Sequence, residues 1–137
     1  MRVEQLPHME AEQITRLRAA GINNCRQLLR AWQRPERFQR LVIATGLSQD
    51  TLVDVVRRAE VSQIRGVGTT TLAYLFEVGI DSLGALAART PESLREDLQR
   101  VCARPPNLAV IEDWILQAGQ RAGSFESSPL QASLKPR

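Results

Sequence analysis

The residues best placed to do chemistry are Arg65, Gly66, Val67, Gly68, Thr69 and Thr70. They lie in the run Gln63-Ile64-Arg65-Gly66-Val67-Gly68-Thr69-Thr70-Thr71-Leu72. An apolar residue precedes Gly-Val-Gly, and a helical pattern follows. Glycine has no Cβ, so the backbone can turn sharply between two helices here. The amides that open the next helix form an anion site. With Arg65 beside them, they could hold a backbone phosphate whatever the base sequence. The same glycines also serve a purely structural end, a tight turn between packed helices.

A second group is Arg26, Arg30 and Arg34, spaced by four residues. If helical, they form one stripe that could meet a nucleic acid or an acidic protein surface. A solvated face would have the same pattern. Aromatic residues are 4% of the chain, and Trp32 and Phe38 fall at apolar positions. Single-strand recognition by stacking is therefore not expected. His8 is the only histidine, and Cys25 and Cys102 stand apart in different segments. A zinc site needs about four such ligands, so no metal or other cofactor is expected. No carboxylate pair, Ser/His/Asp set or Cys/His set has a supporting feature, so no catalytic residue is expected.

The elements that must position these groups are all helical. Ile14, Leu17 and Ala20 follow the helical period, and Gly21 ends that helix. Asn23 or Asn24 caps the next, with Cys25, Leu28, Leu29 and Trp32 on its apolar face. Pro35 opens a third, with Phe38, Leu41 and Val42 inward, and Gly46 ends it. Ser48 caps a fourth, Gln49 to Glu60, carrying Leu52, Val53, Val55 and Val56. After the Gly-Val-Gly turn the plan recurs. Thr69 to Val78 is capped by Gly79, and Asp81 opens a helix with Leu83, Leu86 and Ala87. Thr90-Pro91-Glu92 opens another, with Leu94, Leu98 and Val101 inward. Asn107 opens a last helix with Val110, Ile111, Trp114 and Ile115.

The two halves repeat at an offset of 58 residues. Val3-Glu4-Gln5-Leu6 falls on Val61-Ser62-Gln63-Ile64, Leu17 on Leu75, Gly21-Ile22 on Gly79-Ile80, and Val56 on Trp114. A long period kept at so many apolar positions implies two copies of one unit. The expected fold is all-α, a tandem repeat of two four-helix units. Residues 1–60 form the first unit, with Pro7-His8-Met9 where the glycines would stand. Residues 61–122 form the second, with the intact Gly-Val-Gly. Residues 123–137 turn to Ser, Pro and Gln, and a disordered tail is expected there.

Charge separates the halves. The whole chain carries a formal +3. Residues 1–60 hold ten Arg and seven acids, and residues 61–122 six Arg and seven acids. The half with the glycines is slightly acidic, whereas a phosphate-binding turn normally sits with its positive charge. No apolar run approaches about 18 residues, so no membrane span is expected. The first residues, with Arg2, Glu4 and Gln5, lack a signal-type apolar segment, and a cytoplasmic setting is expected.

Ile64-Arg65-Gly66-Val67-Gly68, Gly79-Ile80-Asp81-Ser82-Leu83, Arg89-Thr90-Pro91-Glu92-Ser93-Leu94 and Val110-Ile111-Glu112-Asp113-Trp114-Ile115 resemble a bacterial domain family of unknown function. That family, common in cyanobacteria, carries helix-hairpin-helix-like elements and has no assigned catalytic residues. The resemblance covers the chain up to about residue 122. The turn also resembles the helix-hairpin-helix pairs of DNA repair and recombination proteins. There, hairpin amides hold a phosphate and a basic residue after the glycines assists; here Thr69, Thr70 and Thr71 take those places. The expectation is a non-catalytic helical adaptor with a protein partner. The alternative is a sequence-independent DNA- or RNA-binding protein. The oligomeric state is open.

Overall fold

Side-chain caps set where most of the helices begin. The computed structural model describes residues 1–126. The helices are α1 (Ala11–Ala19), α2 (Cys25–Trp32), α3 (Pro35–Thr45), α4 (Gln49–Val61), α5 (Thr69–Glu77), α6 (Leu83–Ala87), α7 (Pro91–Val101) and α8 (Leu108–Glu126). Oxygens of Asn24, Ser48, Ser82, Thr90 and Asn107 accept from the amides of Gln27, Thr51, Ala85, Ser93 and Val110. Each such cap contributes about 1 kcal/mol. Pro35 and Pro91 occupy first-turn positions, where a missing N–H costs nothing. The described residues are all-helical, apart from one isolated bridge between Arg2 and Asn24.

Several expectations shift at this level. Ser82, not Asp81, caps α6, and Asn24 rather than Asn23 caps α2. A short 3-10 turn, Val3–Gln5, precedes α1. Met1 and Asn23 carbonyls accept from the Cys25 and Val3 amides, so the chain start is tied to the head of α2. Helix α8 continues to Glu126, so residues 123–126 are helical rather than part of a disordered tail; the rest of that stretch lies outside the described residues.

Some features recur in the two halves, although α2 and α6, and α4 and α8, differ in length. Helices α1 and α5 are each nine residues long, beginning at Ala11 and Thr69. Helices α3 and α7 are each eleven. Gly21 and Gly79 have φ of +87° and +89°. Beside them the Ile22 and Ile80 amides donate to Leu17 and Leu75 at 2.9 Å in both cases. His8 is the one non-glycine residue with positive φ among the described residues, at +60°, and its counterpart in number is Gly66 at +93°.

Packing is mostly within each half. α2 lies on α3 and α4, α6 and α7 on α8, and α4 meets α6 across the middle. One continuous apolar core runs from Val3 to Ala118. Trp32 meets Phe38 edge-on at 4.9 Å, and Leu17, Leu28, Leu52, Leu72, Leu75 and Leu94 are fully enclosed. Val110 departs from the expected inward face. It is exposed, and α8 buries Ile111, Trp114, Gln117 and Ala118 instead.

Glu60, at the end of α4, is half-buried, and its burial raises the carboxyl pKa above the ordinary value. The Arg121 guanidinium on α8 draws it partway back. With the folded pKa above the unfolded one, the native state holds the proton more tightly. The resulting penalty is absent below the unfolded pKa and grows as pH rises through the folded one. Glu60→Gln is therefore expected to raise the melting temperature at pH 7. The gap should close by about pH 4, near the ordinary Glu value; thermal melts across that range check it.

Candidate functional site

Ile64 and Val67, both buried, anchor the second turn on either side of Arg65 and Gly66. The Val67 amide donates to the Ile64 carbonyl at 3.1 Å. Gly66 alone of the pair takes a left-handed conformation; Gly68 has φ −93° and ψ −173°, which any residue can adopt. A Cβ on Gly66 would also stand 3.1 Å from Trp114 Nε1, whereas one on Gly68 would meet nothing within 4 Å. The expectation that both glycines relieve a Cβ penalty thus holds for Gly66 only.

The backbone of Arg65 is clamped by a buried side chain from α8. Its N–H donates to Gln117 Oε1 at 2.9 Å, and Gln117 Nε2 donates back to its carbonyl at 3.2 Å. Asp113 Oδ2 accepts from the same Gln117 nitrogen at 2.7 Å. Of the six residues singled out, Arg65 and Val67 therefore have amides engaged inside the protein. The side chain of Arg65 and both Thr69 and Thr70 are exposed. Gly68 begins α5 and has no side chain to accept from the first-turn amides of Thr69, Thr70 and Thr71. A small anion could be accepted there.

The first turn is held from α4 by different chemistry. Arg58, on α4, donates Nη1 to the carbonyls of Pro7 at 3.3 Å and His8 at 3.1 Å, and to Met9 Sδ at 3.4 Å. Pro7 has no N–H, so a donor-only side chain satisfies it. Glu10 then begins α1, with Glu12 in its first turn, and these acids oppose a phosphate. His8 tilts against Phe76 with ring centroids 5.9 Å apart. It borders an open cleft of about 340 Å³ lined also by Asp54, Arg57, Arg58 and Asp81.

The arginine stripe is only partly assembled. Arg26 and Arg30 share a face of α2, but α2 ends at Trp32, and Arg34 is the extended residue before α3. Arg37 and Arg40 continue the exposed arginines along α3. Among the described residues none of these five forms an ion pair. Elsewhere Arg16 pairs with Glu12, Arg18 with Glu4 and Arg89 with Asp97. Glu36 is the only acid between Asn24 and Ser48. Cys25 is buried, and burial pushes its thiol pKa up, so it packs as a protonated group. Among the described residues no cluster of three or more His, Cys, Asp or Glu could hold a metal, and no helix is long and apolar enough to cross a membrane.

A model of a domain of unknown function (DUF4332) matches residues 7–121, from the first turn through most of α8. The chain belongs to the DUF4332 family. No curated protein and no solved structure matches it. The DUF4332 match spans both turns and both clamping side chains. Neither Gln117 nor Arg58 stood out in the sequence. The one available signal was Gln117 itself, a polar residue on the apolar stripe of Ile111, Trp114 and Ala118.

Gln117→Leu should cost about 1–3 kcal/mol, because it removes the partners of both Arg65 backbone groups. Gly66→Ala should cost about 1–2 kcal/mol for the left-handed backbone alone. Gly68→Ala should be near neutral or stabilising by up to about 1 kcal/mol. Urea unfolding of the three variants reads this order directly.

Proposed function

We infer that this DUF4332 chain is a non-catalytic adaptor that binds another protein. On this reading it consists of two copies of one four-helix unit, each entered through a helix-hairpin-helix-like turn. The matched helix lengths, the paired glycine dihedrals of Gly21 and Gly79, and the positive φ shared by His8 and Gly66 support the repeat. Two free thiols fit a reducing, cytoplasmic setting.

One observation carries the adaptor reading. Both turns are tied into the protein's own packing, through Gln117 and Arg58, and Gly66 has a structural cause in its left-handed backbone. The uncompensated charge lies instead on α2 and α3, in the half without the glycines. Arg is enriched at the core of protein interfaces, where it pairs with carboxylates in a fixed fork.

The competing reading uses the start of α5 as a phosphate site. What favours it is the uncapped first turn of α5 beside the exposed side chain of Arg65. The two readings diverge on salt and on the residues involved. In an affinity capture repeated after nuclease treatment, the adaptor reading expects the same protein to be retained. Mobility shifts with duplex DNA should then show no complex. A complex whose affinity falls with salt at a slope of about −1 per phosphate contact, and that weakens on Arg65→Ala or Gly68→Asp, would replace it with the phosphate reading.

A further inference from the structure

The described residues expose four large apolar side chains, Ile43, Leu108, Val110 and Leu116, and three of them fall on two faces that differ in charge. Ile43, 81% exposed, stands on the outer side of α3. Arg37, Arg40 and Ile43 follow one another at three-residue steps, so they run along one side of the helix. The second face is formed by α7 and α8. Leu108, Glu112 and Leu116 are four residues apart and share the outer side of α8. Leu116 is 61% exposed and Leu108 39%. Between Leu108 and α7 lies a groove of about 300 Å³ lined by Glu92, Arg95, Glu96 and Gln99. Arg95 is held to the wall by its bond to the Pro106 carbonyl at 3.2 Å; Glu92 forms no ion pair among the described residues, and Glu96 lies 3.9 Å from Arg100 one turn along α7.

Both faces lie away from the α4–α6 joint between the halves, since α3 packs chiefly on α1 and α2, and α7 and α8 on each other and on α5 and α6. The faces differ in charge: unpaired guanidinium groups frame Ile43, whereas Glu92, Glu96 and Glu112 lie beside Leu108 and Leu116, with Arg95 tied to Pro106 and Arg100 beside Glu96. We propose that the α3 face of one copy docks into the α7–α8 groove of a second copy. Ile43 seats on Leu108, and Arg37 and Arg40 meet Glu92 and Glu96. Nucleic acid is the weaker occupant of the α3 face, because a phosphate backbone makes no use of an exposed isoleucine.

The contact joins unlike surfaces, so it can be tested by complementation. Sedimentation velocity on nuclease-treated protein, at concentrations up to about 1 mM, should show the wild type associating. Raising ionic strength from about 0.01 to 1 M, which shortens the screening length roughly tenfold, should weaken the association. Arg37→Glu with Arg40→Glu should be monomeric, as should Glu92→Arg with Glu96→Arg. An equimolar mixture of the two variants should regain association, because the intact α3 face of one fits the intact groove of the other and their charge-reversed faces also attract. Ile43→Ser alters only an exposed side chain and should weaken wild-type association about tenfold, the scale of a central apolar contact. A wild type that stays monomeric throughout would overturn the proposal. So would a mixture that stays monomeric while both variants melt like the wild type. So would a monomeric wild type that shifts duplex DNA through Arg37 and Arg40. A monomeric result would leave the adaptor reading standing, since that reading concerns a different partner.

Discussion

Two short stretches of backbone, residues 7–9 and 65–67, lead into α1 and α5 and are fixed by side chains from distant parts of the chain. Each is held by one side chain from the long helix that closes its half of the chain. Arg58 reaches the carbonyls of Pro7 and His8 from α4, and Gln117 reaches Arg65 from α8. A partly buried turn without such a partner would leave polar backbone groups unsatisfied, at about 1–3 kcal/mol each. That is comparable to burying a whole leucine, so the clamps weigh as much as any single core contact.

The two clamps differ because the turns differ by one hydrogen. Arg65 has an N–H and a carbonyl to satisfy, and an amide side chain supplies one acceptor and one donor. Pro7 has only the carbonyl, and a guanidinium, which can only donate, is sufficient. The left-handed residue that follows is Gly66 in one case and His8 in the other. Gly66 is further constrained by Trp114, whose Nε1 would lie 3.1 Å from an added Cβ. His8 instead lays its ring toward Phe76 on α5, so the strained residue of the first turn contributes to the contact between the halves.

The helices were legible in the sequence because their determinants are local. Ser48, Thr90 and Asn107 cap where their spacing before apolar runs implies, and Gly21, Gly46 and Gly79 end helices with the positive φ that only glycine adopts freely. The clamps were not legible. Gln117 and Arg65 are 52 residues apart, and the place of Gln117 on the apolar stripe of α8 says that it is buried but not which backbone it meets. Gly68 misled for a related reason. Its place beside Gly66 suggested a shared role, but its backbone is ordinary and its absent side chain matters only as a missing cap. The Arg26–Arg30–Arg34 spacing misled because the four-residue period holds only while the helix lasts, and α2 stops at Trp32, two residues short of Arg34.

The charge on α2 and α3 has no internal use. A helix surface gains from opposite charges at four-residue spacing and loses from like charges, so Arg26 with Arg30 costs the fold a little and returns nothing to it. Several arginines elsewhere have partners: Arg16 holds the Thr45 carbonyl as well as Glu12, Arg58 holds the first turn, and Arg95 holds Pro106. Stability therefore accounts for those and not for Arg26, Arg30, Arg34, Arg37 and Arg40. A surface whose charges are uncompensated in the isolated chain and adjoin an isoleucine in water is explained more simply by what it meets than by how the chain folds. Gly66, which looks functional, has a role in the fold; on the adaptor reading the arginines, which look like ordinary surface, are where the partner binds.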